Sequence, residues 1–87
     1  MIDLSAVLST VQVRLKKLSV GQRLELWTFK KDRSLIIVKL ADDMLQVVEN
    51  GYARAEYMVA SAQLKKLLKT LLKKEFPRSN KVHLYTR

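Results

Sequence analysis

Apolar side chains recur every three or four positions over residues 4–18, the spacing that places them on one face of an amphipathic helix. Asp3 precedes this segment, and its carboxylate is suited to cap the free N–H groups at a helix start. Gly21 lies just past the expected helix end. The predicted apolar face consists of Leu4, Val7, Leu8, Val11, Leu15 and Leu18.

The middle of the chain changes to a pattern typical of β-strands. Gln22–Phe29 and Ser34–Leu40 are rich in strand-forming residues, and the polar residues 30–33 between them predict a turn. The run Leu35–Val38 is apolar at every position, which is typical of a central strand with both faces covered. We therefore predict two strands here, the second in the interior of a sheet.

A hairpin follows the turn that Asp42-Asp43 predicts, with strands at Met44–Val48 and Tyr52–Val59. A two-residue loop would mix apolar and charged residues on one face, so we prefer a three-residue loop, Glu49-Asn50-Gly51. This loop places on one face Leu45, Val47, Ala53, Ala55 and Tyr57. It places on the other face Met44, Gln46, Val48, Tyr52, Arg54 and Glu56.

Residues 61–75 predict a second amphipathic helix with Ser61 as its N-cap. Pro77 ends this helix at or before Phe76. Its apolar stripe consists of Leu64, Leu67, Leu68, Leu71 and Leu72, and the opposite arc carries Lys65, Lys66, Lys69 and Lys73. The alternating segment Lys81–Thr86 predicts a last strand with Val82 and Leu84 on one side.

The predicted order is α-β-β-β-β-α-β, in an α+β fold. A chain of 87 residues has room for one small single domain, which we assign to residues 1–87. We expect a mostly antiparallel sheet with the two helices packed on one face. The other face of the sheet is then exposed or used for contact.

Composition narrows the class of protein. The chain has no Cys, which excludes disulfides, Cys-ligated metal sites and thiol catalysis. No stretch approaches the roughly 20 apolar residues that a membrane-spanning helix needs. Residues 1–12 do not have the pattern of a signal peptide, because Asp3 stands where a basic leader is expected and polar residues interrupt the apolar run. We expect a cytoplasmic protein with no membrane span.

Positive charge is concentrated in the last third of the chain. The net charge is +9, and residues 61–87 hold eight basic side chains against one acidic, whereas residues 1–60 hold nine against seven. Such a field attracts phosphate backbones, anionic lipids or an acidic protein, and charge alone does not choose among these partners.

No catalytic or cofactor site is visible in the sequence. His83 is the single histidine and has no Cys or second His as a companion ligand, so we interpret it as an ordinary strand residue. Asp42-Asp43 could bind a hard cation with Glu49, but the spacing is typical of a polar turn. With Gly21 and Gly51 as the two glycines, no phosphate-binding glycine loop is present. We predict that the protein is not an enzyme and uses no cofactor.

The lysine arc of the second helix is the first candidate interface. Its charge exceeds what solubility requires, and a polyanion such as RNA or DNA would neutralise it. We assign phosphate contacts to Lys65, Lys66, Lys69, Lys73, Lys74, Arg78 and Lys81.

The hairpin offers a second candidate contact. Tyr52 and Arg54 share the face away from the apolar group, and an aromatic ring beside an arginine can stack on bases. The alternative is an ordinary solvated sheet face, with Tyr52 opposite Val48 and Arg54 opposite Gln46. Trp27 and Phe29 share a face of their strand, and we interpret them as core anchors rather than ligand contacts.

The leading hypothesis is a small basic nucleic-acid-binding module. RNA is favoured over DNA by analogy with RNA-binding domains of similar helix and sheet content. The alternative is a protein-interaction or assembly module, homodimeric or joined to an acidic protein partner, whose strand edges and second sheet face mediate association.

Overall fold

The fold is built from two helices and six strands, as given by a computed structural model that describes residues 2–3, 6–28, 30, 32–51, 54–75 and 81–87. For Ile2 and Glu75 only the backbone is described. Neither helix is long and apolar enough to cross a membrane. The elements are β1 (Ile2–Asp3), α1 (Val7–Lys17), β2 (Arg23–Thr28), β3 (Ser34–Ala41), β4 (Met44–Asn50), β5 (Arg54–Ala60), α2 (Ser61–Glu75) and β6 (Lys81–Thr86).

The strands form one antiparallel sheet in the order β1-β6-β2-β3-β4-β5. Apart from the two-residue β1, the elements follow the predicted order α-β-β-β-β-α-β, so the α+β prediction is confirmed. The strands β2 to β5 are neighbours in sequence order. The segment containing α2 then returns the chain across the sheet, so that β6 pairs with β2.

Both helices pack on one face of the sheet, as predicted. The core lies between α1, α2 and the inward residues of β2, β3, β4 and β6, because alternate strand residues point to the same side. Four of the α2 leucines are buried and the fifth is partly buried. The buried apolar residues are Val7, Val11, Leu18, Leu24, Leu26, Leu35, Ile37, Leu45, Val47, Leu64, Leu68, Leu71, Leu72 and Val82.

The opposite face of the sheet, hereafter the open face, carries no helix in the described part of the chain. The central position predicted for β3 is confirmed, but the expectation that both its faces are covered is wrong. Leu35 and Ile37 point into the core, whereas Ile36 and Val38 lie half-buried on the open face. Their cross-strand neighbours on this face are Glu25 and Val48 for Ile36, and Arg23 and Gln46 for Val38.

The prediction that Trp27 anchors the core is also wrong. Leu24 and Leu26 occupy the inward positions of β2, so the alternation of the strand places Trp27 on the open face. Its ring is half-buried there, and its neighbour across the strands is His83 of β6. Phe29, which shared this prediction, lies outside the described residues.

The β4–β5 hairpin has the predicted faces but a different loop. Asn50 pairs with Arg54, so residues 51–53 connect the strands in place of Glu49-Asn50-Gly51. The shift moves the pairing by an even number of positions, which leaves the described side chains of both strands on their predicted faces, while Tyr52 and Ala53 lie outside the described residues. Val48 therefore lies opposite Glu56, rather than opposite Tyr52 as the predicted loop required.

The same register corrects the second expected cross-strand pair. Gln46 lies opposite Met58 rather than Arg54, and its amide nitrogen donates a hydrogen bond to Glu56 at 3.3 Å. The strand β4 reaches further into the hairpin than the pattern predicted, because Glu49 and Asn50 take part in the ladder.

Asp3 does not cap the first helix. The helix begins at Val7, with Ala6 as an N-cap residue that makes no side-chain cap bond. Asp3 belongs to β1, pairs with Lys81 of β6 across the sheet, and forms an ion pair with the Lys81 ammonium. The sequence interpretation missed β1 because two residues are too few to show a strand period.

The end of α1 is fixed by β3. The Lys39 ammonium donates a hydrogen bond to the carbonyl of Leu18 at 2.9 Å, which places positive charge at the negative end of the helix. Gly21 follows with φ +95°, a conformation that residues with a Cβ rarely adopt. Its N–H donates to the Lys39 carbonyl at 2.8 Å, so one residue of β3 holds both parts of this connection.

Candidate nucleic-acid interfaces

The outer arc of α2 is the most strongly charged surface that the sequence predicted. Its leucines face the sheet, so the 100° rotation per residue turns the intervening lysines toward solvent. All of Lys65, Lys66, Lys69 and Lys73 are exposed. Within the described residues, no carboxylate lies in salt-bridge range of these four ammonium groups.

The helix α1 adds further positive charge on the same side of the sheet as α2. It contacts α2, carries three basic side chains and no acidic one, and exposes Arg14, Lys16 and Lys17. The sequence of α2 has five basic residues and one acidic. The solvent side of the two helices, hereafter the helix layer, therefore holds most of the excess positive charge of the chain.

Lys74 differs from the other lysines of α2, because its ammonium turns back to the sheet. Its Nζ lies 3.2 Å from a carboxylate oxygen of Glu49, whose side chain is fully buried on the inward face of β4. The second carboxylate oxygen of Glu49 accepts a hydrogen bond from the Tyr57 hydroxyl at 3.1 Å. Lys74 thus ties α2 to β4 and β5, and its charge is already matched within the fold.

The remaining predicted contacts do not join the helix layer. Lys81 lies in β6 and is paired with Asp3. Arg54 is exposed on the open face of β5, and the strands β2, β3 and β4 separate it from β6. Tyr52 and Arg78 lie outside the described residues. Among the described residues of the predicted set, Lys65, Lys66, Lys69 and Lys73 lie together on the helix layer, whereas Lys81 and Arg54 lie on the other face of the sheet.

A second group of side chains, which the sequence did not single out, lies on the open face where β2 meets β6. Leu24 and Leu26 on β2 point inward, as Val82 and Leu84 on β6 do, so the residues between them share the open face. We call this group the β2–β6 cluster. Its members are Arg23, Glu25, Trp27, His83, Tyr85 and Arg87.

The cluster is arranged in three cross-strand rows. Trp27 lies opposite His83, and Glu25 lies opposite Tyr85. Arg23 and Arg87 exchange two backbone hydrogen bonds of 3.0 and 2.9 Å, so their side chains form the third row. The sheet thus sets the relative positions of three rings and two guanidinium groups.

Glu25 is the centre of this cluster, with only 6% of its surface exposed. One carboxylate oxygen accepts hydrogen bonds from the Trp27 indole nitrogen at 3.1 Å and from Arg87 Nε at 3.3 Å. The other lies 3.0 Å from Arg23 Nε. Burial raises the pKa of Glu25, but the indole bond and the two arginines together outweigh it and hold that pKa below its ordinary value.

The rings of the cluster contact one another and the adjacent arginine. His83 and Tyr85 are stacked, with centroids 6.3 Å apart and an interplanar angle of 12°. The Arg87 guanidinium lies 5.2 Å from the centroid of the Tyr85 ring, within the range of a cation–π contact. These contacts order the rings along one edge of the open face.

The sequence shows the residues of the cluster as an alternating pattern within each strand, but it does not show that the two strands are neighbours. Arg23, Glu25 and Trp27 alternate with Leu24 and Leu26, and His83 and Tyr85 alternate with Val82 and Leu84, whereas the polar Thr86 precedes Arg87. Nothing in the local pattern indicates that these two segments, more than 50 positions apart in the sequence, are neighbours. The pairing of β6 with β2 is a tertiary feature, so His83 and Trp27 were interpreted separately.

The described residues contain no group of three or more His, Asp or Glu side chains placed to hold a metal ion. Asp42 and Asp43 form the turn between β3 and β4, where their backbone carbonyls accept hydrogen bonds from Ser61 at 3.5 and 2.9 Å.

Comparisons with protein-family models, with curated proteins and with solved structures found no match to this chain.

Proposed function

We propose that this protein is a small nucleic-acid-binding module that holds the phosphate backbone on its helix layer. The observation that carries the proposal is the set of four exposed α2 lysines with no carboxylate in range among the described residues. A polyanion that approaches this surface displaces counterions and gains contacts without breaking an ion pair of the protein. RNA is favoured over DNA by the fold-level analogy alone.

The contrast between the two sides of the molecule supports this assignment. On the open face, Glu25 accompanies Arg23 and Arg87, Asp3 is paired with Lys81, and charges there are largely balanced. On the helix layer the basic groups accumulate with little acidic charge to offset them. A surface of one sign attracts a phosphate backbone without regard to sequence.

The test is fluorescence anisotropy with short labelled RNA and DNA, single- and double-stranded, over a series of salt concentrations. If several α2 lysines contact phosphates, we expect the logarithm of the binding constant to fall with the logarithm of salt concentration, with a slope of about −3 to −4. Charge reversal of Lys66, Lys69 and Lys73 together should flatten that slope. Absence of binding up to about 100 μM nucleic acid at moderate salt would overturn the proposal.

A matched pair of single variants assigns the binding to the helix layer. Lys69 lies on α2 and Lys30 lies in the β2–β3 turn, and both are exposed, so Lys69→Glu and Lys30→Glu change the net charge equally. We expect Lys69→Glu to reduce the salt slope by about one or more and Lys30→Glu to leave it nearly unchanged. Equal effects of the two variants would mean that only net charge matters and would contradict an interface on α2.

A protein-interaction or assembly role is the second candidate, and the position of β5 favours it. This strand is at the edge of the described sheet and exposes Met58, 66% accessible, on the open face. An edge strand can pair with a strand of another chain. Analytical ultracentrifugation over a range of concentrations tests this role, which predicts a mass that rises with concentration in the absence of nucleic acid.

A further inference from the structure

The β2–β6 cluster brings three aromatic rings and two guanidinium groups to one edge of the open face. We propose that this cluster is a stacking platform for the bases of single-stranded nucleic acid, with Trp27, His83 and Tyr85 as the ring contacts. The inference rests on the proposed function for the class of ligand. It adds a surface on the side of the molecule opposite the helix layer.

The spacing of the rings suits a strand with exposed bases. Directly opposite residues in an antiparallel pair have Cβ atoms about 4.5–5.5 Å apart, and alternate residues on one strand are about 7 Å apart. Trp27 and His83 form a cross-strand pair, and Tyr85 is two positions further along β6. Successive bases can therefore meet successive rings, whereas the bases of a duplex are stacked inside it and do not reach a flat sheet face.

The cluster is ordered before any ligand arrives. Glu25 accepts hydrogen bonds from the Trp27 indole and from Arg87, and its other oxygen pairs with Arg23. A ring and two long side chains that are already held lose less conformational entropy on binding than mobile ones do. The buried carboxylate thus positions the binding groups without contacting the ligand.

The charges of the cluster complement a nucleic acid. Glu25 carries one negative charge against two positive charges on Arg23 and Arg87, whose side chains are about half exposed at 52% and 56%. A net positive charge beside aromatic rings lets the same short segment of strand make stacking and phosphate contacts. Arg87 lies against the ring of Tyr85, so both kinds of contact are adjacent.

The fluorescence of Trp27, the single tryptophan of the chain, reports directly on the platform. The first measurement titrates the protein with oligouridylate and with an abasic oligonucleotide of equal length, which keeps the phosphates and lacks the bases. We expect saturable quenching of Trp27 by oligouridylate and little change with the abasic strand. Binding of both strands by anisotropy, with no base-dependent change in Trp27 emission, would overturn the platform and leave the helix-layer proposal intact.

The second measurement compares Tyr85→Ala with Met58→Ala, an exposed residue on the same face but on β5, at the other end of the sheet. Loss of a stacking ring should weaken single-strand binding by about 5- to 150-fold, and Met58→Ala should leave it unchanged. Duplex binding should not change with either variant. Circular dichroism checks that both variants are folded.

The two proposals fail in different ways. If no nucleic acid binds, both are overturned. If Tyr85→Ala binds single strands as well as the unaltered protein does, the platform alone is overturned. If Tyr85→Ala instead changes the sedimentation mass and leaves nucleic-acid affinity unchanged, the cluster contacts a second copy of the chain and the platform is wrong.

Discussion

The side chain of Glu25 is buried, although its position in the strand pattern predicts that it is exposed to solvent. A glutamate at an alternating strand position on a face without helices is expected to be solvated, yet this one is 6% exposed. Trp27, Arg23 and Arg87 surround its carboxylate and satisfy both oxygens. The charge is stabilised because the three partners compensate the hydration that is lost on burial.

The lowered pKa of Glu25 gives a prediction for the pH dependence of stability. A carboxyl whose pKa is depressed in the folded state contributes stability above its unfolded pKa, ordinarily 4.5, and this contribution is lost as the pH falls through the folded pKa. Glu25→Gln should therefore lower the free energy of unfolding by about 1–3 kcal/mol near pH 7. The difference from the unaltered protein should shrink below the ordinary pKa, as measured by urea denaturation at several pH values.

Glu56→Gln is the matched control for this experiment. Glu56 is exposed on the same face and accepts one hydrogen bond, from the Gln46 amide. Its replacement should change stability by less than about 0.5 kcal/mol. A loss on Glu25→Gln that is equally large at pH 3 and pH 7 would contradict the ionised Glu25 centre.

At the scale of an element, α2 shows that neighbouring lysines can have different roles. Lys73 points to solvent and belongs to the basic arc, whereas Lys74, one position later, reaches the buried carboxylate of Glu49. The rotation of 100° per residue moves consecutive side chains to different sides of the helix. The sequence interpretation assigned both to phosphate contacts, because a helix pattern does not show which sheet residue lies beneath its edge.

Lys74→Met and Lys73→Met separate these roles by their effect on stability. Removal of the Lys74 charge leaves Glu49 buried with the loss of a charged partner, which we expect to cost about 1–3 kcal/mol. The cost is at the lower end of that range if water replaces the ammonium, since the Lys74 side chain is 42% exposed. Lys73→Met should change stability by less than about 0.5 kcal/mol. Equal stabilities of the two variants in urea denaturation would show that the ion pair does not hold α2 to the sheet.

The elements also show which predictions local patterns support. The leucine spacing predicted the existence and apolar face of α2, and Ser61 and Pro77 predicted its bounds at 61–75, which agree with the observed Ser61–Glu75. The hairpin faces were correct, whereas its loop was wrong, because a shift by an even number of positions preserves the apolar pattern. The two residues of β1 show no period at all, and the ladder to β6 defines them.

At the scale of the whole molecule, the fold sorts charge between its two sides. Basic residues from the separate segments 7–17 and 61–75 meet on the helix layer, and ion pairs balance most charges on the open face. The sequence count located the excess in residues 61–87 but could not show that Arg14, Lys16 and Lys17 extend the same layer. The packing of the two helices on one face produces this arrangement.

Two binding surfaces on opposite sides of one small domain should contribute independently. The sheet lies between the helix layer and the β2–β6 cluster, so no side chain contacts both Lys69 and Tyr85 among the described residues. With a single strand long enough to contact both surfaces in one complex, we expect the free-energy losses from Lys69→Glu and Tyr85→Ala to add within about 0.5 kcal/mol in the double variant. Anisotropy titrations of the four proteins measure this sum, and strong non-additivity would contradict two separate surfaces.

The sequence by itself determined the helices, most of the strands, the apolar face of α2, the faces of the β4–β5 hairpin and the distribution of net charge along the chain. These features follow from short-range periodicity and composition, which each segment carries within itself. Only the tertiary structure decided that β6 inserts between β1 and β2, that Trp27 lies opposite His83, and that Glu25 and Glu49 are buried with charged partners. The pairing of β6 with β1 and β2, the Glu25–Arg87 contact and the Glu49–Lys74 ion pair join residues far apart in the chain, and no local preference specifies them.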